Sequence, residues 1–211
     1  MEPDFERARI YVLGRLEGEL SPHLTYHCLE HTRDDVLPAV LRLGVASGLD
    51  EESLLLLATA ALFHDTGFLY TYGDHERESI NMARGTLPNF GYAPQQIEAV
   101  GELIAATRMP QRPATPLQAL ICDADLDVLG REDFWDLNRK LLAELHYYTS
   151  HAIPEETWLR DQTRFLQDHH YFSPAAQALR NAGKARNLAL MQYALRSVNG
   201  AAARTGEGDT Y

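Results

Sequence analysis

Cysteine is scarce. Cys28 and Cys122 are the two in 211 residues, too few for a disulfide scaffold, and the reading they favour is small buried hydrophobes in a reducing compartment. Basic residues are also in deficit: 19 Lys+Arg face 30 Asp+Glu, for a formal net charge of −11. The chain therefore lacks the positive footprint that generic binding to nucleic acid or an anionic membrane requires. A small phosphate-bearing substrate held by a metal and a few arginines remains compatible with that charge. Long apolar runs are missing too. The longest, Leu54 to Phe63, has ten residues and includes Thr59, about half a membrane span, which predicts a buried core helix. Met1-Glu2-Pro3-Asp4 has neither the basic nor the apolar region of a signal peptide. The expectation is a soluble, cytoplasmic protein with no membrane partner.

What the chain does have is ordinary globular composition, 45 % hydrophobic and 23 % charged, at a length that buries roughly 70 % of the unfolded surface. Alternating strand patterns are not found, and helical periodicity runs almost throughout. Phe5 to Leu20 reads as a helix with apolar Ile10, Leu13 and Leu16. A second helix is expected from about Tyr26 to Ala46, kinked or restarted at Pro38. Asp50, Glu51 and Glu52 acidify the start of a third, which ends near His64. Thr66 to Gly73 reads as a loop, followed by helices from about Asp74 to Leu87 and from Pro94 to near Thr107. Met109 to Pro116 holds three prolines and reads as a stiff connection. Helices at 117–129, 131–147 and 154–169 follow, and Ser173-Pro174 opens a last one as cap and first helical residue. The expected fold is all-α, one domain over 1–198, with a frayed tail at 199–211.

Histidines and aspartates cluster near predicted helix ends. His27 and His31, four apart, share a helix face. His64 and Asp65 follow the apolar run, where a bound cation would explain a tolerated imidazole and carboxylate. Asp123, Asp125 and Asp127 alternate through another apolar-rich segment, and like charges that close need water or a cation. Each piece alone also has a plain explanation: a helix cap, a polar face, a solvated edge.

Their order along the chain is informative: His31 in Leu29-Glu30-His31-Thr32, then Ala60-Ala61-Leu62-Phe63-His64-Asp65-Thr66-Gly67, then Asp74-His75-Glu76-Arg77-Glu78-Ser79, and finally Asp123-Ala124-Asp125. This resembles the HD superfamily of metal-dependent phosphohydrolases, an H…HD…D pattern on a helical bundle, over about residues 21–130. The helices at 131–198 look like a subfamily-specific addition. The resemblance implies His31, His64, Asp65 and Asp125 as metal ligands. His31 matches the family context better than His27, and Asp125, which follows an Ala, better than Asp123. Two imidazoles and two carboxylates suit Mn, Fe, Co, Ni or Zn and leave open positions, whereas a closed structural zinc site would favour thiolates. Members with two metals carry two further histidines. His75 fills the first place and Ala105-Ala106-Thr107-Arg108 leaves the second empty, which implies one divalent metal.

The implied activity is hydrolysis of a small phosphate ester or nucleotide by a metal-activated water. Phe68 stands where nucleotidase members have an assisting glutamate, so Asp74, then Glu78, are the candidate acid or base; both also read as an acidic helix N-terminus. Arg77, Arg108 and Arg112 are candidate phosphate partners, with Arg112 more simply a solvated residue. The alternative is a non-catalytic metal- or nucleotide-binding regulatory module on the same fold, and a homodimer is compatible with either. His27-Cys28-Leu29-Glu30-His31 is not the metalloprotease helix motif, because its Glu does not follow the first His. Gly183-Lys184 lacks phosphate-loop spacing, and His146, His151, His169 and His170 have no regular metal spacing.

Overall fold

The structure, a computed structural model of the chain, describes residues 2–149 and 151–205. Among them are nine α-helices and no strand: α1 (Phe5–Glu19), α2 (Leu37–Ala46), α3 (Glu51–Phe63), α4 (His75–Thr86), α5 (Pro94–Ala106), α6 (Pro116–Asp125), α7 (Phe134–Tyr148), α8 (Glu155–Asp168) and α9 (Pro174–Thr205). The all-α expectation holds. Among these residues no helix is long and apolar enough to cross a membrane.

Caps set several boundaries. Asp4 accepts from the Arg7 N–H, Asp50 from the Ser53 N–H and Thr115 from the Gln118 N–H, each satisfying a donor that the first turn leaves open. Helix α1 buries Ala8, Val12 and Leu16, one stripe at four-residue spacing; Ile10 points outward at 63 % exposure. Helix α3 buries every residue from Leu57 to Phe63, as an apolar run predicts. Around it one cluster of buried side chains extends from Ala8 of α1 to Met191 of α9.

The structure departs from the expected elements where polar partners intervene. The second helix starts after Tyr26–Cys28 and enters α2 through a π-turn, His31–Val36, in which the Leu37 N–H bonds to the Thr32 carbonyl. Pro38 supplies the cause: it has no N–H, and its ring crowds the carbonyl four residues back. The segment after Asp65 is a 3₁₀ turn, Thr66–Leu69, rather than open loop. The expected helix at 117–129 ends with α6 at Asp125, and a 3₁₀ turn, Asp127–Gly130, follows. Helix α9 runs through 199 to Thr205, past the expected start of fraying. The rest of that expected tail, 206–211, lies outside the described residues.

Helices α7–α9 are fastened to the first six at α6 and its following turn. Asp123 accepts the Phe172 and Ser173 N–H groups, both at 2.7 Å. Asp127 takes two parallel bonds from Arg180, also 2.7 Å each. Asn187 donates to the Leu129 and Arg131 carbonyls. Backbone meets backbone between Gly130 and Gly183, where a Cβ on Gly183 would lie 1.9 Å from the Gly130 carbonyl oxygen. This docking brings the inner faces of α7 and α8 toward the end of α3.

Candidate metal centre

The buried run of α3 delivers His64 and Asp65 at its C-terminal end. The turn that follows is tied down on both sides. Thr66 Oγ1 donates to the Phe63 carbonyl at 2.8 Å, and Ser79 of α4 donates to the His64 carbonyl at 2.6 Å while accepting from the Gly67 N–H at 2.8 Å. A Cβ on Gly67 would lie 1.8 Å from the His75 carbonyl oxygen, so glycine is required for α4 to approach this closely. His64 Nδ1 donates to the Ala61 carbonyl at 2.8 Å. That bond fixes the ring and leaves Nε2 facing inward.

Three other segments bring donors to the same point. His31 comes from the π-turn, and its Nε2 lies 3.6 Å from Asp65 Oδ2 and 3.4 Å from Asp125 Oδ1. His64 Nε2 lies 3.2 Å and 3.5 Å from the same two oxygens. His31 is 4 % exposed, His64 1 % and Asp65 5 %, yet His31 Nε2, His64 Nε2 and Asp65 Oδ2 make no hydrogen bond. Unpartnered buried polar atoms are costly and rare, and here three converge. Ligands about 2.1 Å from one centre stand about 3.0–3.4 Å apart in octahedral or tetrahedral geometry. The observed separations are close to that range, and the group His31, His64 and Asp65 could hold a metal ion.

Burial opposes charge on all four groups, but the imidazoles and carboxylates favour one another's charged forms, and a bound cation would take the place of the imidazole protons, because the ligating form of histidine is neutral. The Asp125, Asp35 and Asp65 carboxylates raise the His31 pKa to about 9 despite that burial. Asp65 and Asp125 carry His64 well above its ordinary value. The histidines in turn hold Asp65 well below the carboxylate range and bring Asp125 down to about 2. Gln111 in the proline-rich connection donates to Asp125 Oδ2 at 3.1 Å, which leaves Oδ1 directed at the histidines.

A cavity of about 270 Å³ opens beside the cluster, lined by Asp65 and Asp125, by His27 and His75, and by side chains of α7 and α8. Phe68 stacks on both His27 and His75, with ring centroids at 4.4 Å and 3.9 Å, and the two imidazoles are themselves 6.2 Å apart, so the residue that departs from the nucleotidase pattern packs against two imidazoles. His75 Nε2 is 3.4 Å from Asp65 Oδ1. His27 Nδ1 bonds to Glu144 of α7. Glu144 is fully buried and also accepts the Tyr26 and His27 backbone N–H groups and the Tyr72 hydroxyl. Burial opposes its charge, but His27 and the two N–H groups outweigh that and lower its pKa. These bonds draw Tyr26 and His27 out of the helix expected there.

His31, His64, Asp65 and Asp125 are thus brought together. Asp74, Glu78, Arg77 and Arg108 are not brought to the cavity. Asp74, Arg77 and Arg108 line a neighbouring groove on α4 and α5, in which Asp74 pairs with Arg77 and Arg108, and Arg77 with Glu78. Opposite charges, from α4 itself and from the end of α5, pair with each other there. Arg112 is exposed. Sequence reasoning passed over Gln111, Glu76 and Glu144, and it weighed His27 only as a ligand. Glu144 carried a faint signal, a carboxylate on the inward face of α7 that Phe134 and Asn138 also occupy.

Comparison with protein-family models, with curated proteins and with solved structures finds no match to this chain.

Proposed function

We propose that this chain is a metal-dependent phosphohydrolase of HD type, acting on a small phosphate ester, with one divalent cation (Mn, Fe, Co, Ni or Zn) held by His31, His64, Asp65 and Asp125. The observation that carries the reading is the convergence of unpartnered, buried Nε2 and Oδ atoms on one point at the mouth of a cavity. The mixed imidazole and carboxylate donor set suits borderline divalent ions. Such an ion would supply Lewis acidity toward a water and a phosphoryl oxygen.

The chain's own residues supply the rest. Hydrolysis forms a bond from water oxygen to phosphorus and breaks the ester bond, and the departing alcohol oxygen must gain a proton. His27 is placed to donate it: Glu144 holds its Nδ1, so Nε2 is the atom left to face the cavity that His27 lines. Asp65, 3.4 Å from His75 Nε2 through its second oxygen, orients His75, which lines the same cavity and is positioned to accept the proton that the water loses. Glu144 acts through His27 and is a positioning residue. Asp74 and Glu78, engaged with arginines, take no part in this reading.

Metal analysis of the purified protein, followed by phosphate-release assays with added Mn, Co or Ni, tests it. Wild-type protein is expected to retain about one metal per chain, and Asp65→Ala to lose both metal and turnover while keeping its helix content by circular dichroism. A fully active, metal-free Asp65→Ala protein would overturn the proposal. Metal binding without turnover on phosphomonoesters and phosphodiesters would favour the regulatory module instead.

A further inference from the structure

The part of the cavity contributed by residues 126–165 is chemically one-sided. Six apolar side chains form it: Leu126, Val128, Leu129, Phe134, Leu141 and Phe165. The polar side chains among those residues are two amides, Asn138 and Gln162, and they are largely committed to each other. Trp158 Nε1 donates to Asn138 Oδ1 at 2.8 Å, and Asn138 Nδ2 donates to Gln162 Oε1 at 2.7 Å. That leaves the Gln162 Nε2 group as the one amide donor with no partner on this wall. A polyol placed here would bury several hydroxyls against carbon, and each unmatched hydroxyl costs about 1–3 kcal/mol.

Charge narrows the choice further. Asp65, Glu76 and Asp125 line the cavity, and among the described residues no Lys or Arg does. The nearest arginines, Arg77 and Arg108, belong to the neighbouring groove and are paired there with Asp74, Glu76 and Glu78. With no Lys or Arg on its lining, the cavity offers a second phosphate on the substrate no permanently charged side chain, and only the histidines that the proposed reaction already uses. The volume, about 270 Å³, is at the small end for ligand cavities, which run from about 300 to 1,000 Å³.

We infer that the cavity selects phosphate esters carrying a single phosphate on a small apolar alcohol, a short alkyl chain or one hydrocarbon ring, and discriminates against sugar phosphates and polyphosphates. The inference rests on the phosphohydrolase reading for the placement of the phosphate at the metal cluster; the apolar wall is independent of it. A carbon wall favours a ligand in proportion to the apolar area it covers, and a missing apolar group in such a pocket costs about 10–200-fold.

Equilibrium binding to the Mn-loaded chain tests the preference without requiring turnover. Benzyl phosphate and hexyl phosphate are compared with ribose 5-phosphate and ADP by titration calorimetry, for wild type and for Leu141→Gln. Leu141 is half-buried, so the polar substitution is compatible with folding, and unchanged Mn affinity checks the variant. The apolar esters are expected to bind at least about tenfold more tightly than ribose 5-phosphate or ADP, and Leu141→Gln to reduce that ratio severalfold. Equal or tighter binding of ribose 5-phosphate or ADP, or a ratio that Leu141→Gln leaves unchanged, overturns the inference. Phosphate release from the same compounds reads the parent proposal separately: selective binding without release would sink the hydrolase reading and leave the apolar pocket standing.

Discussion

Asp123, Asp125 and Asp127 show how neighbouring residues of one type acquire different roles. Two residues along a helix turn the side chain through about 200°, so Asp125 faces away from Asp123, while Asp127, just past the end of α6, returns to the side of Asp123. Asp123 caps backbone N–H groups of the α8–α9 connection, Asp125 faces the histidines, and Asp127 meets Arg180. Asp125 depends in turn on Gln111. Gln111→Ala is expected to weaken Mn binding about 10–100-fold, the range for lost supporting bonds to metal ligands, with little change in the metal-free melting temperature; calorimetric titration of both proteins checks it. His169 offers a pH test remote from the cluster. Burial first, then the Lys184 and His170 charges, lower its pKa from 6.5 to about 4. Above about pH 6.5 it is neutral folded and unfolded, and its contribution to stability is fully present. As pH falls from there, the unfolded chain takes up the proton first, so stability is lost until the folded form protonates near pH 4. Urea midpoints measured from pH 8 to 4 should fall more steeply for wild type than for His169→Gln.

At the scale of elements, close approach and irregular backbone place the donors. The π-turn ahead of Pro38 advances His31 toward α3, where a regular turn would rotate it along the helix face. The Gly130–Gly183 crossing lets α9 lie against the turn after α6. Gly183→Ala puts a methyl group into backbone rather than into a yielding side chain, and should cost about 1–3 kcal/mol or more in urea unfolding. Gly14→Ala, in the exposed middle of α1 with nothing within 4 Å of the new Cβ, should instead stabilise by up to about 1 kcal/mol. The same denaturation series reads both. Local signals made most of these elements legible: the acidic start Asp50-Glu51-Glu52 of α3, Pro94 at a helix start, Ser173-Pro174 before α9. The stop at Asp125 and the irregular Tyr26–Cys28 were not legible, because the groups that hold the turn after Asp125 and displace Tyr26–Cys28 are distant: Arg180 lies 53 residues from Asp127, and Glu144 more than 100 from Tyr26.

Over the whole molecule, the buried His/Asp cluster couples folding to the cation the proposed function requires. An ion that binds the folded chain and not the unfolded one stabilises by mass action, about 2.7 kcal/mol at a hundredfold excess over Kd. Chelation is expected to lower the melting temperature of wild type by several degrees and to leave Asp65→Ala unmoved, as scanning calorimetry would record. The helical class and the core run of α3 were readable from the sequence, because periodicity is a local property that burial then respects; the grouping of His31, His64, Asp65 and Asp125 was implied by the family resemblance of their order along the chain. What surrounds the cluster was decided by tertiary structure alone. Arg77 and Arg108 looked suited to phosphate by charge and position, yet their carboxylate neighbours claim them within the α4–α5 groove. Glu144, Phe134, Leu141, Gln162 and Phe165 reach the cavity from helices that carried no chemical signal. The deficits of cysteine, of positive charge and of long apolar runs excluded whole classes of protein, since composition limits what a chain can bury or attract. The shape and polarity of the cavity depend on which distant faces pack together, and only the folded chain determines that.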